Sequence, residues 1–135
     1  MIEKLNTKDI EKVEGLFNLS KIKESIDNNT FTRHFVYKDN EEIIGYINYD
    51  IIYERSELIQ INVLKEKENN HIGSKLMEYM INDLINNNVK EITLEVRIDN
   101  DKAIGLYKKY GFIEIGKREK YYQGIDGILM KKELM

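Results

Sequence analysis

The chain has 135 residues, of which 41% are hydrophobic and 33% charged, the length and balance of one globular domain, expected to span residues 1–135, with a core of its own. It contains no cysteine, which excludes a disulfide framework, a thiolate nucleophile and thiolate metal sites. A formal net charge of -3 with scattered basic residues argues against a nucleic-acid partner, and without a long apolar run or a targeting segment the expected address is cytoplasmic, off the membrane.

In chain order, Ile2 to Leu5 reads as a short first strand, and Thr7 as the cap of a helix with Ile10, Val13, Leu16 and Phe17 on one face. A second short helix is expected from Ser20, using Ile22 and Ile26, until Asn28, Asn29 and Thr30 break the pattern. Phe31 to Tyr37 and Ile43 to Tyr53 read as antiparallel strands about a polar turn at Asp39, Asn40 and Glu41. Glu57 to Leu64 reads as a further strand carrying Leu58, Ile59, Ile61 and Val63, followed by a polar loop from Lys65 to Asn70. From His71 a long amphipathic helix places Ile72, Leu76, Met80 and Leu84 at i+4 steps, and the run Asn86, Asn87, Asn88 ends it.

The stretch from Ile92 to Phe112 changes period midway. Ile92, Leu94, Val96 and Ile98 alternate with Thr93, Glu95 and Arg97, the pattern of a strand with one apolar face, so Glu95 and Arg97 share the other. Asp99 or Asn100 then caps a helix with Ala103, Ile104, Leu106, Tyr107 and Tyr110 at helical spacing, Lys108 and Lys109 in its last turn, and Gly111 as a left-handed close. Phe112 to Tyr122 and Gly127 to Leu134 read as a closing strand pair. The order implies an α/β mixed sheet, with two helical crossovers joining parallel strands.

A strand delivers the Glu95 carboxylate, and the next helix delivers the Tyr107 phenol. The loop from Lys65 to Ser74 lies between a strand and a helix N-terminus, where free N–H groups and the macrodipole favour an anion. Most such loops bind nothing, so the signal gains weight only from its neighbours. INV (Ile61 to Val63), HIGSKLM (His71 to Met77), LEVRIDNDKAIGLYKKYGF, and then Arg118 with Tyr121 and Tyr122, stand in the order and spacing of the GNAT superfamily of N-acetyltransferases. Within it the chain most resembles the RimI-like ribosomal-protein alanine N-acetyltransferase branch. The resemblance covers roughly Glu57 to Met130.

That resemblance implies a V-shaped mixed sheet of six to seven strands flanked by about four helices, its fourth and fifth strands splayed to admit acetyl-CoA. It implies acetyl transfer to a primary amine, either a protein N-terminal α-amine or a small molecule. The backbone from Asn69 through Asn70, His71, Ile72 and Gly73 to Ser74 would cradle the pyrophosphate, with Glu68 beside it. Ile61 and Val63 would hold the acetyl end, and Asn100 and Ala103 the cofactor arm. Glu95 matches the general base that acts through a water, and Tyr107 the phenol that protonates the departing thiolate. Tyr121 and Tyr122 would lie on the acceptor side.

The chemistry suits these groups. At pH 7 deprotonating an α-amine of pKa about 7.8 costs roughly 1 kcal/mol, against roughly 4.6 kcal/mol for a lysine of pKa about 10.4, so a water-linked Glu95 fits the former more easily. Bland readings stand beside these: Glu95 paired with a cation on a solvated face, Tyr107 packed in the core, Tyr121 and Tyr122 as ordinary strand residues. His34 and His71 lack metal-ligand companions at useful spacing, so no metal is expected.

The chain also departs from the family. The phosphate loop of that family reads Arg or Gln, two residues, Gly, one residue, then Gly or Ala, where this chain has Glu68, His71 and Gly73. Glu68 near a phosphate would cost about 1 kcal/mol in high dielectric, and His71 replaces a residue that lets backbone approach closely. The first helical region lacks the branch's tryptophan, and the turn after Tyr122 is short, so a small amine and a non-catalytic acyl-CoA-binding module both stand as alternatives. Monomer and homodimer are both compatible with the sequence.

Overall fold

Alternation and helical spacing resolve into seven strands and four α-helices in the computed structural model, which describes residues 1–28 and 31–134 and, of Asn69, the backbone alone. The strands are β1 (Ile2–Lys4), β2 (Thr32–Asp39), β3 (Glu42–Asp50), β4 (Arg55–Val63), β5 (Glu91–Arg97), β6 (Ile113–Tyr122) and β7 (Ile125–Glu133). The helices are α1 (Ile10–Phe17), α2 (Ile22–Asn28), α3 (Ile72–Asn86) and α4 (Asp101–Lys109), with 3-10 turns at Thr7–Asp9 and Lys65–Asn70. All seven strands form one mixed sheet in the order β1-β2-β3-β4-β5-β7-β6.

The sheet is antiparallel throughout except between β4 and β5. There the parallel ladder covers only Arg55 to Glu91, Ser56 to Ile92 and Glu57 to Thr93. Beyond Glu57 the two strands part, leaving the backbone of Leu58 to Val63 without a partner on that side. The first crossover, through α3, therefore joins neighbouring parallel strands, as expected. The second, through α4, joins strands that run the same way but are not neighbours, because β7 inserts between β5 and β6.

β3 is buried at seven successive positions, and the period of two explains how. Gly45, Ile47 and Tyr49 face α3, where a Cβ on Gly45 would meet Ile72 and Leu76 at 3.1 Å. Tyr46 faces α1 and α2 with Val36, Val13 and Ile22. The larger core stacks Leu76, Met77, Met80 and Leu84 of α3 on Ile92 and Leu94 of β5 and on Met130 of β7. The i+4 spacing of α3 is thus the seam that locks both halves of the sheet together.

Several boundaries move. Asn6 is the first cap, its side chain accepting from the Lys8 N–H at 3.1 Å, and Thr7 lies inside the 3-10 turn; Leu16 is 40% exposed. The second helix starts at Ile22, whose N–H donates to Glu14 Oε2 at 3.0 Å, rather than at Ser20. Asn29 and Thr30, expected to break it, lie outside the described residues. Asp39 belongs to β2, and the hairpin turn shrinks to Asn40 and Glu41, at φ 51 and 70, the left-handed pair of a two-residue turn. β3 stops at Asp50, and Tyr53 is 93% exposed. β4 begins two residues early at Arg55, and the polar segment after it is a 3-10 turn. Ile98 falls beyond β5 and is part-exposed.

Candidate active site

The N-terminus of α3 turns the positive end of its dipole toward the loop before it. His71 ends the 3-10 turn with φ 60 and ψ 23, and no side chain caps the helix that follows. The first-turn N–H groups are thereby left for a ligand. A left-handed residue here gives a physical account of why glycine suits this place, and why His71 is strained in it.

Beside this terminus a cleft of about 470 Å³ runs between β4 and α4, lined by Ile61, Asn62, Val63, Glu68, His71, Gly73, Ser74, Asn100, Lys102, Ala103 and Leu106. Eight of the residues expected to meet the cofactor are among them. Ile72 is not: it is 4% exposed and its side chain belongs to the core, so only its backbone can face a ligand. Asn70 is exposed and off the cleft, and the Asn69 side chain lies outside the described residues. Tyr107 is off this cleft as well, buried against Phe112 with ring centroids 5.9 Å apart.

Asn100 caps α4, its Oδ1 accepting from the Ala103 N–H at 3.2 Å, which settles the choice between Asp99 and Asn100. Asp99 instead binds Arg97 through two hydrogen bonds at 3.0 and 2.9 Å. Sequence reasoning missed Asn62, Lys102 and Leu106. Leu106 carried a signal, one helical turn from Ala103. Lys102 carried none, because its role comes from a long-range ion pair with Glu68 across the mouth of the cleft.

On the other side of the split, Glu95 points from β5 with its side chain only 15% exposed. Its Oε2 is buried and accepts no hydrogen bond; Arg118 Nε lies 3.3 Å away but out of line. Gly127, on β7, supplies the room: a Cβ there would stand 2.6 Å from Oε2 and 3.0 Å from Tyr122 Cε2. Arg118 also stacks over Tyr121 at 4.4 Å, and Tyr121 meets Tyr122 edge-on at 4.9 Å. Tyr121 is half-exposed.

Burial, and after it Tyr122, pushes the Tyr107 hydroxyl up to about 12. Burial, and then Glu95, pushes Tyr122 up as well. Glu57 is raised first by burial, then by Asp50 and Glu95, and Asp50 is raised by burial against the Glu57 N–H it accepts at 2.8 Å. Glu95, Tyr107, Tyr122 and the Asp50–Glu57 pair thus feel one another. Asp50, Glu57 and Thr93 line a second cleft, of about 650 Å³. His34 is buried, its Nδ1 2.8 Å from the Tyr46 hydroxyl. Among the described residues, no group of three or more His, Cys, Asp or Glu is placed to hold a metal, and no helix is long and apolar enough to cross a membrane.

A mixed sheet parted between two parallel strands, with an uncapped helix at one mouth and a buried carboxylate at the other, is the arrangement that the sequence resemblance implies for an acetyl-CoA-dependent N-acetyltransferase. The chain belongs to the Acetyltransferase (GNAT) family, whose profile matches residues 5–112. It is 30% identical over 94 residues to the [Ribosomal protein bS18]-alanine N-acetyltransferase of Escherichia coli K12, covering 70% of this chain and 64% of that one. It is 32% identical over 114 residues to the N-alpha-acetyltransferase of Sulfurisphaera tokodaii, covering 74% and 68%. The crystal structure of the Escherichia coli ribosomal-protein-S18-alanine enzyme superposes with a TM-score of 0.90 at 24% identity, over 99% of this chain and 93% of that one. The spermidine/spermine N-acetyltransferase SpeG of Vibrio cholerae superposes with a TM-score of 0.86 at 21% identity, over 99% and 92%.

Proposed function

We propose that this enzyme acetylates the N-terminal α-amine of a protein. The observation that carries the reading is the Glu95 carboxylate, 15% exposed beside the parted strands, its Oε2 3.3 Å from the Arg118 guanidinium but accepting no hydrogen bond. A group so placed takes a proton through one water from an amine that is already close to neutral. The relatives from Escherichia coli and Sulfurisphaera tokodaii bear names that point the same way.

In this reading the first-turn N–H groups of α3 hold the pyrophosphate, and the free backbone of β4 near Ile61 and Val63 orients the acetyl carbonyl. The fit is supported by the uncapped helix terminus and the cleft at Gly73. Acetyl-CoA supplies an activated thioester. Asn100 and Ala103 flank its arm, Tyr107 holds the proton that the departing sulfur needs, and Tyr121 and Tyr122 border the acceptor. Lys102 neutralises Glu68, offsetting the repulsion that the loop sequence implies, and the charge pair opens toward phosphate. We place the reaction in the cytoplasm, carried out by one 1–135 domain as monomer or homodimer, without nucleic acid, membrane or metal.

Acceptance by a small polyamine is a second reading, favoured by the carboxylates Asp50, Glu57 and Glu95 on one face and by the name of the Vibrio cholerae neighbour. A thiol-release assay over N-terminal peptides and polyamines separates the two. The peptide reading expects a higher kcat/KM for peptides; turnover confined to spermidine-like amines refutes it.

A further inference from the structure

His71 stands where the family reads glycine, and its ring is uncommitted. Its backbone is left-handed, at φ 60 and ψ 23, a conformation that histidine enters more readily than most side chains. The residue is exposed and lines the cleft between β4 and α4. No side chain caps the helix that follows, so the ring nitrogens are not tied to the first-turn N–H groups. Among the described residues the ring has no hydrogen bond or ion pair.

The charges around it leave a place for a cation. Of the described residues lining the cleft, Glu68, His71 and Lys102 are those that carry or can take a charge. Glu68 and Lys102 pair with each other across the mouth, so together they contribute no net charge. Where the family reads Arg or Gln, three residues before His71, this chain has that same Glu68. Nearby stand Lys109 of α4, donating to Ser74 Oγ at 3.1 Å, and Lys75 of α3, whose N–H donates to the His71 carbonyl at 3.0 Å. The Lys75 ammonium donates to the Tyr37 hydroxyl of β2 at 3.4 Å, and Lys65, Glu66 and Lys67 lie further back in the same 3-10 turn as Glu68. Imidazole is the one side-chain type in this set that ordinarily changes charge between about pH 5 and 8.

We propose that the His71 imidazole is a proton-linked ligand of the acetyl-CoA diphosphate. The protonated ring, with both nitrogens as donors, pairs with phosphate oxygen at the mouth of the cleft, and near neutral pH the enzyme takes up part of a proton from solvent as it takes up the cofactor. The inference rests on the acetyl-CoA reading of this cleft. Linkage sets the sign: a ligand that favours the protonated ring binds more tightly where the ring is already protonated, so affinity falls as pH rises through the imidazole range. A glycine would hold the same turn without strain and would lose the coupling.

The test is calorimetry of the whole protein with dephospho-CoA, which keeps the diphosphate and lacks the 3′-phosphate, a monoester that itself titrates near about pH 6. The Kd of the native chain should be about fivefold lower at about pH 6 than at about pH 8.5, and the heats in Pipes and Tris at neutral pH should differ in the sense of proton uptake. His71→Gly and His71→Asn, both suited to a left-handed backbone, should change their Kd by less than about twofold over that range, whatever their absolute affinity. The chain has two histidines, and long-range ¹H–¹⁵N spectra report their rings separately. Dephospho-CoA should move the His71 signals toward imidazolium and pantetheine, which has no phosphate, should not; His34, buried with its Nδ1 2.8 Å from the Tyr46 hydroxyl, is the internal control. A native Kd that does not change with pH, or a pH dependence that survives in His71→Gly, would overturn the proposal and leave the diphosphate to backbone N–H groups alone. Absence of dephospho-CoA binding at every pH would instead refute the acetyl-CoA reading of the cleft, and the proposal with it.

Discussion

With its hydroxyl pushed up to about 12 by burial, Tyr107 stays protonated through the whole working pH range, which the role of acid proposed for it requires. Tyr107→Phe should lower kcat by about 10²-fold or more, measured at saturating acetyl-CoA, with little change in the acetyl-CoA Kd. The kcat profile of the native enzyme should show no alkaline limb from Tyr107 below about pH 11. Glu68 and Lys102 give a second residue-scale expectation. Lys102→Met should weaken acetyl-CoA binding several-fold by calorimetry, and less so in a Glu68→Gln background, because the lone carboxylate is what repels phosphate. The places of Glu95 on β5 and Tyr107 on α4 were legible in the sequence because period and spacing display them, while the roles proposed for them came from the family resemblance alone. Lys102 was not, since its partner is 34 positions away and only the folded cleft brings the two charges together.

At the level of elements, the position of the Glu95 carboxylate depends on the pairing of β5 with β7, which runs without a break from Glu91 to Arg97. Gly127→Ala would put a methyl 2.6 Å from Oε2. The carboxylate must then shift, so kcat/KM should fall by about tenfold or more, while thermal unfolding moves little, the displaced atom being a side-chain end. By contrast Leu76→Ala, fully buried in α3, should cost about 2–5 kcal/mol in denaturant titration. The long, strongly periodic elements α3 and β5 were readable almost to the residue. The end of β3 was not: Ile51, Ile52 and Tyr53 continue an apolar run, yet Ile52 and Tyr53 are exposed at the rim of a cleft, and pattern alone does not tell a rim from a core. The turn expected at Asp39, Asn40 and Glu41 is there but one residue shorter, because its left-handed φ angles fall on Asn40 and Glu41, a pair without the glycine that would have marked a two-residue turn.

For the molecule as a whole, the β4–β5 ladder is a narrow joint in the sheet, and the larger core carries the connection. A ligand that bridges the split adds its binding energy to folding, so acetyl-CoA at a hundred times its Kd should stabilise the protein by about 2.7 kcal/mol, seen as a rise in Tm. Acid should act through His34. Burial lowers its folded pKa below 6.5, so the unfolded chain takes the proton first, and stability present above about pH 6.5 is lost as pH falls toward the folded value. Asp50 and Glu57 are shifted upward and act in the opposite sense. The measurement is therefore a difference: His34→Gln should lose less stability than the native chain between pH 7.5 and 5.5.

β7 comes after β6 along the chain but lies inside it, hydrogen-bonded to the strand of Glu95 on one edge and to β6 on the other. During synthesis the halves of the active site emerge in order, yet β5 has no partner on its β7 side until residues 125 to 133 have left the ribosome. An enzyme proposed to modify other new proteins at their first residue thus completes the strand pairing around Glu95 only when a segment made after β6 slides in between β5 and β6.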